Sequence, residues 1–300
     1  MKIIDYNKSS SEKFGWRPNW FDKDATDINE DLISKIKEWQ KSMGLSPDGL
    51  VGPTTFRRIF TERESKIDSF LPGKFQCKEI NHIVYGGNLF EIEWPHVTLW
   101  SEENGFIANE GTYKKHPGKR PIDFFVNHWD VCLSAESCAR VVNKRGISIH
   151  FIIDNDGRIF QMLDMSHIAW QAGGKGWNSK SIGVEISNAY YPKYQNWYVK
   201  KGFGERPLIS DQICHGVKLK PFLGFYPVQI EALKALWKAV NKATGIPLEV
   251  PLTDSGENLT TVLEDTVNVK GFINHFNLTR NKIDCAGLDL KSLVEEIKSE

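Results

Sequence analysis

Two histidines in this chain stand at the ends of apolar runs: His128 closes FFVNH, and His275 follows KGFIN. A side chain at the C-terminal end of a buried strand is held by the sheet while the next loop leaves an opening, so both imidazoles are placed to face a cleft. The segment around the second histidine, NHFNLTRNKIDCAG, adds Arg280, Lys282, Asp284 and Cys285. Catalytic zinc takes three protein ligands from His, Cys and carboxylate and keeps a fourth position open. His128, His275 and Cys285 can supply such a set, since a thiolate beside a cation is readily deprotonated and coordination completes the process. Without a metal, Cys285 reads as a small core residue. His82, His96, His116, His167 and His215 lie in turn-like or mixed contexts, where a surface or hydrogen-bonded imidazole suffices.

Groups so far apart in the chain need strands to bring them together, and the pattern around them supplies strands. IDFFVNHWD reads as a buried strand, SAESCARVVNK as a short helix, and ISIHFIIDNDGRIFQML as a hairpin that turns at Asn155-Asp156-Gly157. In SIGVEIS, Ile182, Val184 and Ile186 share one face of a strand, and Gly183, Glu185 and Ser187 the other. PVQIEALKALWKAVNKATG puts Ile230, Leu233, Leu236, Trp237 and Val240 on one helical stripe, opened by Pro227 and closed by Gly245. This order predicts an α/β fold over 77–300, a mixed central sheet flanked by helices. Segments 190–222 and 246–268, rich in Pro, Gly, Lys and polar residues, are expected to be loops or insertions.

Residues 1–65 are patterned differently and are expected to form a small all-α domain, followed by a linker over 66–76. In EDLISKIKEWQKSMG, Leu32, Ile36, Trp39 and Met43 form an apolar helix face that Gly44 ends. After turns at Asp48-Gly49 and Gly52-Pro53, Pro53 opens a second helix bearing Phe56, Ile59 and Phe60. The string IKEWQKSMGLSPDGLVGPTTFRRI resembles the small peptidoglycan-binding domain found beside many cell-wall hydrolases, with Gln40, Leu45, Asp48, Gly49, Val51, Gly52 and Thr54 in register. That resemblance implies wall binding, with Gln40 and Asp48 as candidate substrate contacts.

Residues 120–295 resemble the zinc-dependent N-acetylmuramoyl-L-alanine amidases of the type 2 class, shared by phage lysins, bacterial amidases and peptidoglycan recognition proteins. The resemblance rests on NHWDV, IHFIIDNDGRIFQM, AWQAGG, NSKSIGVEIS and NHFNLTRNKIDCAGLDL, in the family's order and spacing. It implies the amidase type 2 fold and Zn2+ held by His128, His275 and a third ligand. Cys285 is preferred for that place because thiolate is the better partner for zinc; the alternative is Asp284, with Cys285 then standing where other members have proline. The resemblance also implies Glu185 as general base, with Ile149 where other members carry a tyrosine. Lys282, or Arg280 in its stead, is the implied cation for the tetrahedral oxyanion. Trp170 and Gln171 are candidate substrate contacts. Where the family often reads Trp-His-Ala-Gly, this chain has Gln171, which can hydrogen-bond a peptide but cannot titrate near neutrality. His150, on the hairpin, is expected to be structural or to support the site from behind the ligands, and is not counted as a ligand.

Composition narrows the function classes. Lys plus Arg number 38 and Asp plus Glu 38, so no long-range field favours nucleic acid or an anionic membrane. Five scattered cysteines argue against a disulfide framework and for a reducing compartment. The start MKIIDYNKSSSEKFGW lacks the apolar core of a signal peptide, and no run approaches the roughly 20 apolar residues that span a bilayer. The expectation is a monomeric peptidoglycan hydrolase of the endolysin kind, cutting between N-acetylmuramic acid and L-alanine. It would wait in the host cytoplasm until lysis and then reach the wall from the periplasm. Its rivals are a receptor that binds muropeptides without cutting, and a cysteine peptidase using Cys285 with His275.

Overall fold

The computed structural model describes residues 2–66, 78, 80–174, 176–263 and 269–300. The expected linker beyond residue 66 lies outside the described residues, as does Cys77.

A six-stranded mixed sheet forms the centre. Its strands are β1 (Val97–Leu99), β2 (Phe124–Trp129), β3 (Phe151–Ile153), β4 (Ile159–Gln161), β5 (Ser181–Ile186) and β6 (Gly271–Asn274), in the spatial order β6-β2-β5-β3-β4-β1. Only the β3–β4 hairpin is antiparallel. Gly157 closes that hairpin with a positive φ of 80°, and a side chain there would strike Val228 and Trp94.

The sheet separates two cores. On one face Phe125, Phe151, Ile182, Val184, Ile186 and Phe272 pack against the long helix foreseen from its stripe, Pro227–Thr244, and against the last helix, Leu290–Ser299. Trp237 lies at its middle, 4.5 Å between ring centroids from Phe272. The other face carries His128, Glu185, Ile152 and Phe160, because β2, β5, β3 and β4 run in register there and alternate residues share a side.

Helices cover that second face. They are α1 (Ile3–Phe14), α2 (Glu30–Ser42), α3 (Pro53–Glu64) and α4 (Ala135–Arg145). Ser134 caps α4, its hydroxyl accepting from Ser137 N–H at 3.2 Å. Phe14, Trp16, Leu32, Ile36, Val51, Phe56 and Phe60 of the N-terminal part form one apolar cluster with Cys138, Ala139 and Val142 of α4 and with Ile152 and Phe160 of the sheet. The N-terminal helices therefore share a core with the sheet. Polar bonds reinforce the contact: the Thr61 hydroxyl donates to Val131 O at 2.8 Å, Ser137 Oγ donates to Glu64 at 3.0 Å, and Tyr194 OH donates to Glu62 at 3.1 Å. Among the described residues no helix is long and apolar enough to cross a membrane.

Gln40 sits inside this helical part and not on its surface. It is 1% exposed; its amide nitrogen bonds Asp48 Oδ1, Leu50 O and Thr55 Oγ1 at 2.8–3.1 Å, and its carbonyl accepts from Gly49 N–H at 2.8 Å. The residue expected to touch substrate instead organises the loop between α2 and α3, with the exposed Asp48 bound into the same network. Gln40→Leu is expected to leave that loop's polar groups without partners and to destabilise the protein by about 2–3 kcal/mol, read as a lower urea midpoint; an unchanged midpoint would contradict this role.

Candidate metal centre and active site

Parallel strands end at the same level, and two of them place histidines there: His128 is the penultimate residue of β2 and His275 directly follows β6. β6 lies beside β2 with Asn274 opposite Asn127, so His275, the next residue, emerges beside His128. The Asn277 side chain accepts from Asn274 N–H at 2.9 Å and fixes the turn that follows β6. The loop then folds back, with Phe276 N–H donating to Asp284 O at 2.9 Å, and this delivers Asp284 to the two imidazoles.

His128 Nδ1, His275 Nδ1 and Asp284 Oδ2 stand 2.8, 2.9 and 3.1 Å from one another, and all three residues are buried. Three lone-pair-bearing atoms aimed at one point repel unless protons or a cation lie among them. Two imidazole nitrogens and a carboxylate oxygen are a donor set suited to a divalent ion. Among the described residues this is the group of histidines, cysteines and carboxylates compact enough to hold one. The electrostatics agree. Burial alone would raise the Asp284 carboxyl, but His275 and His128 hold it well below the usual carboxylate range. Burial disfavours charge on His128 as well, yet Asp284 and Glu185 outweigh it and raise its pKa; burial pushes His275 down to about 4.

Cys285, preferred from the sequence as third ligand, does not join this group. It is fully buried in the apolar core on the other side of the chain's turn, with Ala286 and Leu288, and burial pushes its thiol well above the ordinary value. Adjacent residues cannot both turn to the histidines here; Asp284 does, and Cys285 packs. A neutral thiol with no exposure is also unsuited to act as a nucleophile.

Gln171 decides which nitrogen of His128 faces the centre. Its amide nitrogen donates to Ser181 Oγ at 2.7 Å, so its carbonyl oxygen faces His128 Nε2 at 2.5 Å and accepts that proton. Nδ1 is left with its lone pair toward His275 and Asp284. Gln171 thus supports the centre while also lining the cleft in which it was expected to meet substrate. Gly183 makes room for it, since a Cβ at that position would come within 2.6 Å of the Gln171 carbonyl oxygen. Gly183→Ala is expected to dislodge the amide and weaken metal affinity by about 10–100-fold, measured by competition with a chelating dye; unchanged affinity would contradict it.

Glu185 faces His128 across the β2–β5 register. Burial raises its carboxyl pKa, and its Oε2 is buried without a hydrogen-bond partner. A cleft of about 620 Å³ opens beside the centre, lined by His275, Lys282, Trp170, Gln171, Arg145 and Trp177 among others. Lys282 lines it and is lowered in pKa by burial, whereas Arg280 is exposed and outside it. Trp170 is 42% exposed at its wall. His150 is structural: its Nε2 bonds His167 O, its Nδ1 accepts from Gly183 N–H, and burial lowers it to about 3. Arg145 and Trp177 were not singled out from the sequence, where a cation ending a helix and a tryptophan opening a four-residue helix carry no distinguishing pattern.

Residues 118–253 match the family model described as N-acetylmuramoyl-L-alanine amidase. That segment holds His128, Gln171 and Glu185; His275, Lys282 and Asp284 follow it. Among solved structures, the chain is similar to the N-acetylmuramyl-L-alanine amidase AmiD from E. coli, in complex with anhydro-N-acetylmuramic acid-L-Ala-D-gamma-Glu-L-Lys: 22% identity over 48% of this chain and 55% of AmiD, TM-score 0.30. It is also similar to the Ph2119 endolysin from a Thermus scotoductus bacteriophage, at 15% identity over 67% of this chain and 98% of that one, TM-score 0.38. A third is the hydrolase AmiA of Staphylococcus aureus, at 11% identity over 67% and 82%, TM-score 0.38. The chain thus spans little more than half of AmiD. No curated protein matches the sequence.

Proposed function

We propose that this protein is a zinc-dependent N-acetylmuramoyl-L-alanine amidase that degrades peptidoglycan by cutting the amide between N-acetylmuramic acid and the L-alanine of the stem peptide. The observation that carries the reading is the convergence of His128, His275 and Asp284 beside an open cleft, in a chain whose residues 118–253 match the amidase family. These three side chains would hold the ion, Asp284 in the place first given to Cys285. Zinc bound there would supply Lewis acidity toward the amide carbonyl and the attacking water. Glu185, raised in pKa by burial, takes the proton from the attacking water and returns it to the leaving nitrogen. Lys282, lining the cleft, stabilises the charge that develops on the carbonyl oxygen. Trp170 offers an exposed ring at the cleft wall for the peptide or sugar. The N-terminal helices would add wall affinity by tethering, as expected of an endolysin held in the host cytoplasm until lysis.

Digestion of purified sacculi followed by mass spectrometry tests the bond. Free stem peptides beginning with L-alanine, released from intact glycan strands, are expected. New reducing sugar ends without free peptides would overturn the reading.

A further inference from the structure

His215 sits at the tip of a small hairpin and reaches across to the loop that holds His275, Lys282 and Asp284. The strands Ile213–Cys214 and Val217–Lys218 pair antiparallel inside the segment 190–222, and His215 and Gly216 make the two-residue turn between them. Both turn residues take positive φ, 53° and 76°. The turn by itself is best served by Asn-Gly, so what a histidine adds there lies in its side chain.

That side chain touches both limbs of the loop. Nε2 donates to Lys282 O at 2.9 Å, and the ring stands edge-on to Phe276, the residue after His275, with 6.0 Å between centroids at 89°. The Lys282 carbonyl can only accept, so the proton is on Nε2; Nδ1 is buried without a hydrogen-bond partner. The backbone of the same residue is braced from the His275 side. His215 N–H donates to Thr260 O at 2.9 Å, and the next carbonyl, Thr261 O, accepts from the Asn277 side-chain amide at 2.9 Å. Within the Lys282 limb the local bonds are long: Lys282 N–H reaches Thr279 O at 3.3 Å, and Asn281 N–H reaches the Thr279 hydroxyl at 3.3 Å. The bond from His215 ties this stretch to a segment outside the loop. Asp284 has its own support, its carbonyl accepting from Phe276 N–H at 2.9 Å.

We propose that His215 is a positioning residue of the amide-cleaving site: its imidazole pins the stretch 279–283 and so sets where the Lys282 side chain enters the cleft. The inference rests on the reading of Lys282 as the cation that meets the oxyanion. Because the three candidate ligands are held by other contacts, losing the pin moves rate and not metal content.

The test uses the full chain with His215→Asn and His215→Gln, assayed on a soluble N-acetylmuramoyl-L-alanyl peptide. Asparagine suits the turn, but its amide nitrogen falls one bond short of the place of Nε2; glutamine carries a donor at that distance. His215→Asn is expected to lower kcat by about tenfold or more, toward the loss that follows removal of one oxyanion donor. KM should stay within twofold and zinc content at the wild-type level, and His215→Gln should restore most of the rate. A role confined to the turn gives the reverse order, with asparagine harmless. A wild-type kcat for His215→Asn, or a fall in kcat that only follows loss of zinc, would overturn the proposal. A second measurement needs no turnover: hydrogen–deuterium exchange of the amides at 279–283. Exchange is expected to be several-fold faster in His215→Asn than in the wild type or His215→Gln, and equal rates would also overturn it. If the wild-type protein fails to cleave the amide while exchange still responds to His215, the amidase reading falls and the pin stands.

Discussion

Asp284→Ala abolishes metal binding and amide hydrolysis, while Cys285→Ala keeps both: this is the expected outcome of the pair of substitutions that separates the two sequence readings of the third ligand. Asp284 Oδ2 is within 3.1 Å of both imidazole Nδ1 atoms, so its removal leaves two nitrogens facing each other at 2.8 Å with no anion to balance an ion between them. Losing the ion forfeits transition-state stabilisation of about 4 kcal/mol or more, roughly a thousandfold in rate. Cys285→Ala removes only a sulfur from a tightly packed core, with an expected cost of about 1–2 kcal/mol in stability and none in metal content. Metal content by elemental analysis and kcat on the soluble substrate read both. A metal-free Cys285→Ala beside a metal-replete Asp284→Ala would reverse the assignment.

Glu185→Gln is the second large effect. Glutamine keeps the shape and the strand but cannot accept a proton, so the variant is expected to hold metal at the wild-type level and to lose about 10²–10⁴ in kcat, the usual contribution of a general base. The separation of rate from metal content distinguishes Glu185 from the ligands, whose loss moves both. A metal-replete Glu185→Gln that turns over at the wild-type rate would remove this carboxylate from the mechanism.

How much of this was legible in the sequence depended on whether a residue's partners are local. The hairpin around Gly157, helix α4 and the long helix carrying Trp237 were readable because period, cap and turn residue all lie within one segment. Helix α1 was not. Its buried face carries Asn7 and Ser10, and Asn7 bonds Gly49 O and Val51 N–H some forty residues away, so no apolar stripe announces it. Gln40 was misjudged for the same reason, since an amide that looks available in sequence is satisfied by a loop that only the fold brings round it. At the centre, His128 and His275 were legible because both follow apolar strand patterns. The choice between Asp284 and Cys285 was not, because adjacent residues point apart and only the return of the loop through Phe276 sets which one turns to the histidines. Nor could Gln171 be recognised as a support for His128, since the space it occupies depends on Gly183 of β5 lying beside it.

The central claim is that His128, His275 and Asp284 close on one divalent ion that the hydrolysis requires. The most direct measurement is zinc content together with activity, before and after chelator treatment and readdition of metal, with anomalous diffraction locating the ion. The account predicts about one zinc per chain at the site formed by His128, His275 and Asp284, loss of hydrolysis when it is stripped, and recovery when it is restored. Undiminished amide cleavage by protein shown to be free of metal would contradict it.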